Sequence, residues 1–276
     1  MPASLKVALV QLNARTSLAE NMAATGQAIE RAASYGVDIV ALPEFWTYLG
    51  PYDGFERIAQ TLDGPAITML REQARRHHMI VHGGSIVEQH PTERARFYNT
   101  SVLIDRNGEL VARYRKIHLF DVNLANGERH GESERIVAGE QVVTAELEGV
   151  TFGFSICYDL RFPGLYSAMA QRGASVIFVP AAFTLHTGRD HWEVLLRARA
   201  IENQCYVLAP AQVGSYPPGK QCYGRSMVVD PWGLVLAQAQ DTPTVLIAEL
   251  DMTQVSQVRA QIPCLQHRRP DLYNNE

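Results

Sequence analysis

Three polar residues stand where the sequence predicts strands to end: Glu44 after Ile39 to Pro43, Lys116 after Leu110 to Arg115, and Cys157 after Val150 to Ile156. Ligands of open α/β sheets collect beyond the carboxyl ends of the strands. A carboxylate, an ammonium and a thiol gathered there suffice for acyl transfer without histidine or metal. The carboxylate takes the thiol proton, the thiolate attacks a carbonyl carbon, and the cation steadies the oxyanion and lowers the thiol pKa. Each residue also has a plainer reading. Glu44 can cap a loop behind Pro43, Cys157 can be a small buried hydrophobe, and Lys116, between Arg115 and Ile117, can belong to a solvated face. Cys205 falls in a predicted strand, and Cys222 and Cys264 in predicted loops, so these three read as structural. His77, His78, His82, His186 and His191 lack ligand spacing joined to a carboxylate or thiolate set, so neither metal nor cofactor is expected.

The elements that must position these residues follow a repeated order. Lys6 to Leu12 reads as a buried strand, and Ser17 to Glu20 as a capping box opening a helix that Gly36 stops. Asp38 to Pro43 is apolar on both faces, as in a parallel sheet covered by helices. Gly64 and Pro65 open a helix to His77, followed by strands over Met79 to Val87, Phe97 to Asp105 and Glu109 to Arg115, the last two joined at Arg106-Asn107-Gly108. Residues 118–141 carry little periodicity, and a loop that long inside a compact chain is usually functional. Beyond it the grammar recurs: strand Val150 to Ile156, helix Pro163 to Arg172, strand Ser175 to Val179, helix His191 to Asn203. Strands then follow at Cys205 to Ala211, Ser226 to Asp230, Leu234 to Ala237 and Thr244 to Leu250. Ser101 to Ala112 echoes Ser226 to Ala237 letter by letter at several places, and Asp38 to Pro43 echoes Ser175 to Pro180. Convergent strand-and-turn chemistry is one explanation. The favoured one is two related halves, each a βαβα unit feeding antiparallel strands, with two sheets packed face to face and helices outside. No linker separates the halves, so residues 1–276 read as a single domain.

The 276 residues are 46% hydrophobic and 20% charged, a globular composition, with a net charge of −4. No broad cationic face is available for nucleic acid or an anionic membrane, and the run His267-Arg268-Arg269 is too short to supply one. The N-terminal letters lack the pattern of a signal or transit peptide, and the longest apolar stretch, Ala174 to Phe183, is about half a membrane span. Four cysteines without a C-x-x-C pair read as reduced thiols of a cytoplasmic protein.

Leu42-Pro43-Glu44, Tyr114 to Asp121 and Ser155 to Pro163 resemble the three signature segments of the nitrilase, or carbon–nitrogen hydrolase, superfamily. That resemblance implies a four-layer α-β-β-α sandwich and a Glu44, Lys116 and Cys157 triad. It also implies a second glutamate near the nucleophile, which Glu132 fits best, with Glu128, Glu134 and Glu140 as competitors. Thr187 to Tyr206, Tyr223 to Gly233 and Gln266 to Tyr273 resemble the branch holding deaminated glutathione amidase and, close behind, ω-amidase. The implied reaction is amide hydrolysis through a thioester on a small anionic amide, with Phe183 and Thr187 as pocket wall. Arg161, four residues past Cys157, is expected to capture a substrate carboxylate, the alternative being a surface pair with Asp159. Members resembling this chain pair as homodimers or higher oligomers, which implies that the tail, residues 262–276, crosses to a partner rather than folding on its own subunit. Two rivals are weighed against this. A cysteine α/β-hydrolase would need a G-x-C-x-G elbow, whereas Ser155 and Asp159 flank Cys157; a binding scaffold would not need Glu44, Lys116 and Cys157 together.

Overall fold

The computed structural model describes residues 2–124, 127 and 129–273. Its first sheet runs in the order Thr244–Asp251, Ser4–Gln11, Ile39–Ala41, Ile80–His82, Phe97–Ile104, with Leu110–Arg115 on the far edge. The second runs Thr144–Leu147, Val150–Phe154, Val176–Phe178, Tyr206–Ala209, Met227–Val229, Val235–Gln238. In both, the first pair is antiparallel, the next two are parallel and the last two antiparallel. The C-terminal strand Thr244–Asp251 thus fills in the first sheet the place that Thr144–Leu147 fills in the second. The echo between Ser101 to Ala112 and Ser226 to Ala237 falls on equivalent hairpins, which makes it an echo of structure.

Burial follows the letters. Leu5, Val7, Leu9, Ile39 and Leu103 of the first sheet share one apolar cluster with Phe152, Phe154, Ile177 and Leu208 of the second, so the sheets meet face to face. On the other side of the first sheet, Ala8, Val10 and Val40 pack against Ile29 of helix Leu18–Ala33 and against Ile67 and Leu70 of helix Pro65–His77. Ser17 caps the former, its hydroxyl accepting from Glu20 N–H at 3.4 Å, and Pro65 opens the latter, where its missing N–H costs nothing. Helices Pro163–Gln171 and Leu185–Asn203 cover the second sheet, burying Met169, Trp192 and Leu196. These are the four expected layers. Among the described residues no helix is long and apolar enough to cross a membrane.

Three local expectations need correction. The strand expected over Met79 to Val87 is broken into Ile80–His82 and Ile86–Gln89, which both pair with Phe97–Ile104. Gly83, Gly84 and Ser85 leave the ladder between them. Gly84 has φ +55°, and a Cβ there would stand 2.1 Å from the Pro43 carbonyl, so only glycine allows this approach. The long helix begins at Leu185, not near His191. Its first turns carry Gly188, where a Cβ would meet Tyr223 Cβ at 2.4 Å; the glycine that hides the helix in the sequence is what lets it pack. Finally, Cys222 lies in strand Lys220–Tyr223, which pairs with Val213–Tyr216 in a hairpin absent from the sequence reading.

Candidate active site

Glu44 follows strand Ile39–Ala41, and the chain turns sharply behind it: Phe45 has φ +52°, a costly conformation for a bulky residue. The turn is held by Ser85, whose hydroxyl accepts from Phe45 N–H at 3.0 Å, which accounts for the break at Gly83 to Ser85. From the second half, Ala182 N–H donates to Glu44 Oε2 at 2.7 Å, and Gln212 Nε2 donates to the Glu44 carbonyl at 2.9 Å. A carboxylate carried by the first sheet is therefore aimed by the second.

Cys157 begins a tight turn after strand Val150–Phe154 and also has positive φ, +49°. Asp159 fixes that turn. Fully buried, it accepts from Ile156 N–H at 2.8 Å and Tyr114 O–H at 2.6 Å through Oδ2, and from His118 N–H at 3.0 Å through Oδ1, which also faces His118 Nδ1 at 2.7 Å. Tyr114 and His118 flank Lys116 by two residues on either side, so one carboxylate ties the lysine's segment to the cysteine's. The alternative in which Asp159 pairs with Arg161 is excluded, because these bonds occupy it.

Lys116 Nζ donates to Glu44 Oε1 at 3.1 Å and Glu132 Oε2 at 2.8 Å, with all three side chains almost wholly buried. Asn99 Nδ2 bridges the same two carboxylates, at 2.9 Å to Glu44 and 3.1 Å to Glu132, and Phe120 N–H donates to Glu132 Oε2 at 2.7 Å. The structure thus brings together Glu44, Lys116, Cys157 and Glu132 around one cavity. Of the competing glutamates, Glu134 is exposed beside Arg129, Glu140 is exposed elsewhere, and Glu128 lies outside the described residues.

Charge and burial set the protonation states. Burial alone would pull the Lys116 ammonium down, but Glu132 and Glu44 outweigh it and hold the amine well above its usual range. Burial raises Glu132, opposed by Lys116 and reinforced by Glu44. Cys157 is pushed well above the ordinary thiol range by burial and then by Glu44, against which Lys116 is too weak. The cation does lower the thiol, as expected, but burial and Glu44 outweigh it. Cys157 is thereby held as an S–H beside Glu44, and a reaction at its sulfur would need a base rather than a preformed thiolate.

Two cavities meet at Cys157. The larger, with about 90 Å³ that the centre of a water molecule can reach, carries Glu44, Lys116 and Glu132. The smaller, with about 10 Å³ open to the centre of a water molecule, is lined by Arg161, Phe183, Thr184 and Thr187. The three expected binding residues are therefore grouped there. The Arg161 guanidinium lies 5.2 Å from the Phe183 ring centre, with Nη1 3.2 Å from His191 Nδ1, and Thr187 Oγ1 lies 2.7 Å from Thr184 Oγ1. Asn99, Tyr52, His130, Tyr216 and Lys220 escaped the sequence reading. Only Asn99 left a signal, as part of the polar run Asn99-Thr100-Ser101 inside an otherwise apolar strand. Among the described residues no group of three His, Cys, Asp or Glu side chains is placed to hold a metal.

The chain is similar to known proteins along nearly its whole length. A sequence profile described as carbon–nitrogen hydrolase matches residues 6–260. A deaminated glutathione amidase of Synechocystis sp. is 42% identical over 266 residues, covering 95% of this chain and 97% of that protein. The omega-amidase NIT2 of Homo sapiens is 35% identical over 272 residues, covering 98% and 97%. Among solved structures, the C. elegans NitFhit protein superposes with a TM-score of 0.92 at 40% identity, covering 98% of this chain and 66% of that one. Saccharomyces cerevisiae Nit3, described as a member of branch 10 of the nitrilase superfamily, gives 0.87 at 32%, covering 95% and 96%.

Proposed function

The chain belongs to the carbon–nitrogen hydrolase family and is an amidase, and from that premise we propose that Cys157 cleaves its amide through a thioester, with deaminated glutathione as the substrate. The observation that carries the mechanism is Lys116 bridging Glu44 and Glu132 beside a neutral, buried Cys157. Glu44 takes the thiol proton as Sγ bonds to the amide carbon. The oxyanion forms against Lys116 and the backbone N–H following Cys157. Glu44 then passes the proton to the departing nitrogen as the C–N bond breaks, leaving a thioester. Water, deprotonated by Glu44, replaces sulfur, and the thiol recovers its proton. Glu132 keeps Lys116 charged and aimed. The net change is one water consumed, one acid and one amine released. Deaminated glutathione yields 2-oxoglutarate and cysteinylglycine, whereas an ω-amidase would release ammonia from 2-oxoglutaramate. Assay of both amides, detecting dipeptide and ammonia separately and trapping the acylated Cys157 by mass spectrometry, tests the reading. Alkylation alone is a poor guide, because Cys264 is the most exposed of the four free thiols. Four free thiols suit a reducing compartment, and we place the reaction in the cytoplasm.

Arg161 is the residue proposed to hold the 2-oxo carboxylate. Arg161→Met raises KM about ten- to hundredfold for anionic amides and changes little for neutral ones, since the lost bond is made equally in ground and transition states. Equal losses for a 2-oxo-acid amide and its carboxylate-free analogue would remove Arg161 from substrate recognition.

Pairing belongs to the same proposal. Val194 and Ile201 on helix Leu185–Asn203 are exposed, as are Trp232 and Leu234 on the neighbouring turn, where Gly233 permits contact with Ile201. Exposed apolar side chains on one helix and the turn beside it suit a second copy of this chain. Ile262 and Leu272 of the tail are exposed as well, which suits a tail reaching the partner. Sedimentation at micromolar concentration should give a dimer, weakened by Val194→Glu and by ending the chain at Ile262. A monomer at that concentration ends the proposal.

A further inference from the structure

Asn99 breaks the local rules of its strand. Every residue of Phe97–Ile104 is buried, yet asparagine is depleted in strands. Its Oδ1 is buried and has no hydrogen-bond partner, a cost that stability alone would select against. Asn99 lines neither cavity, so it does not touch substrate. Residues that violate local preference without structural gain cluster at working sites.

What the position gains is two donated N–H bonds. Nδ2 lies 2.9 Å from Glu44 Oε1 and 3.1 Å from Glu132 Oε1. Only the NH₂ end of the amide can face two carboxylates, which leaves Oδ1 as the end without a partner. The main chain of the same residue holds the lysine's segment, its carbonyl accepting from Lys116 N–H at 2.9 Å. Glu44 Oε1 accepts from both Asn99 and Lys116 Nζ, which occupies its two lone pairs. Glu44 Oε2 accepts from Ala182 N–H at 2.7 Å, which leaves a lone pair for the thiol proton. Between the two glutamates stand Asn99 Nδ2 and Lys116 Nζ, and both groups only donate.

Two carboxylates and one ammonium leave this buried cluster one negative charge over, the condition under which neighbouring carboxyls take up and share a proton. Lys116, Cys157, Tyr52, Tyr216 and Cys222 are the other ionisable groups that act on the pair. Burial pushes these thiols and phenols up, so they stay neutral. His130 and Lys220 line the same cavity. A proton shared between the glutamates would leave the base occupied before the thiol could use it. We propose that Asn99 is a positioning residue that prevents this sharing, so that Glu44 meets the Cys157 thiol as a free base. The inference rests on the amidase reading above and adds to it the residue that keeps its base available.

Two substitutions test it. Asn99→Leu keeps the branched shape and removes both donors; Asn99→Asp keeps that shape and adds a third carboxyl. Losing hydrogen bonds to a charged form, or placing a like charge beside it, disfavours that form. The acid limb of kcat/KM should therefore move up by about one pH unit or more in Asn99→Leu, and further in Asn99→Asp. At neutral pH kcat falls about ten- to hundredfold with KM within about twofold of native, and higher pH recovers the loss. A packing role predicts the opposite order, with the bulkier Asn99→Leu the worse, and a loss independent of pH. An acid limb unmoved in Asn99→Leu overturns the proposal, including where Asn99→Asp fails to fold. A second readout needs no turnover. In infrared pH-difference spectra, the C=O band of a protonated buried carboxyl should persist to higher pH in both variants than in the native chain. Adding Glu132→Gln to Asn99→Leu should remove that persistence. Such a band in a protein that cleaves no amide would support the role of Asn99 and overturn the reaction. An unchanged band in an active enzyme would overturn the role and leave the reaction standing.

Discussion

Cys157→Ala abolishes amide hydrolysis, by about 10⁴-fold or more, and leaves the fold and its thermal stability close to those of the native chain. The loss is that large because no other described nucleophile lines both cavities at their junction. The fold survives because the substitution removes one atom from a site held by other bonds. Cys157 N–H donates to the Pro180 carbonyl at 2.9 Å, and Asp159 fixes the turn through Ile156 N–H. The positive φ costs alanine no more than it costs cysteine, so strain is unchanged. Since the thiol rests protonated, its base is indispensable, and Glu44→Gln should lose at least about 10²–10³ of the rate. The same raised thiol gives a signed pH dependence: alkylation at Cys157 keeps accelerating with pH beyond the range in which an ordinary thiol has already ionised. Circular dichroism, turnover and alkylation measured on the same preparations check all three. Turnover by Cys157→Ala above about 1% of native would mean another nucleophile.

Glu44 and Cys157 were legible in the sequence because they close apolar strands whose letters leave little choice of structure. Lys116 was legible only with both neighbours in view, since its own segment, Arg113-Tyr114-Arg115, alternates like any exposed strand. The doubled architecture could be read because hairpins carry local turn chemistry at Gly108 and Gly233. What stayed hidden was assembled across the chain. Lys220 and His130 are separated by 90 residues, and Glu44 receives its N–H from Ala182, 138 residues away. No period or spacing encodes such contacts. Glu132 occupies an intermediate case: its loop has no periodicity, and four glutamates compete there until Lys116 and Phe120 N–H select one. The break at Gly83 to Ser85 was missed for a similar reason, as its cause is the carbonyl of Pro43.

Lys116→Met should cost both rate and stability. The rate falls about 10²–10³-fold from loss of an oxyanion donor, and Lys116→Arg does not restore it, because a planar fork cannot occupy the compact point between Glu44 and Glu132. Stability falls because two buried carboxylates then face each other, bridged only by Asn99. Breaking a buried ion pair by removing one partner costs about 3–5 kcal/mol. The pH dependence separates this cause from simple loss of packing. In the native chain Glu132 already lies above its ordinary 4.5, through burial, with Lys116 holding it down. Removing the lysine raises it further. A carboxyl whose folded value exceeds its unfolded one favours folding below the unfolded value, and that contribution is lost as pH rises through the folded value. The variant's melting temperature should therefore fall more steeply than that of the native chain as pH rises above the ordinary Glu132 value of 4.5. Lys116 acts in the same direction in the native protein but higher up, since its raised value stabilises the fold below 10.5 and is lost only above that. Adding Glu132→Gln to Lys116→Met removes one of the two charges and should flatten the slope while restoring no activity. A parallel downward shift at every pH, untouched by Glu132→Gln, would mean that Lys116 contributes packing alone and that the carboxylates are not held ionised by it.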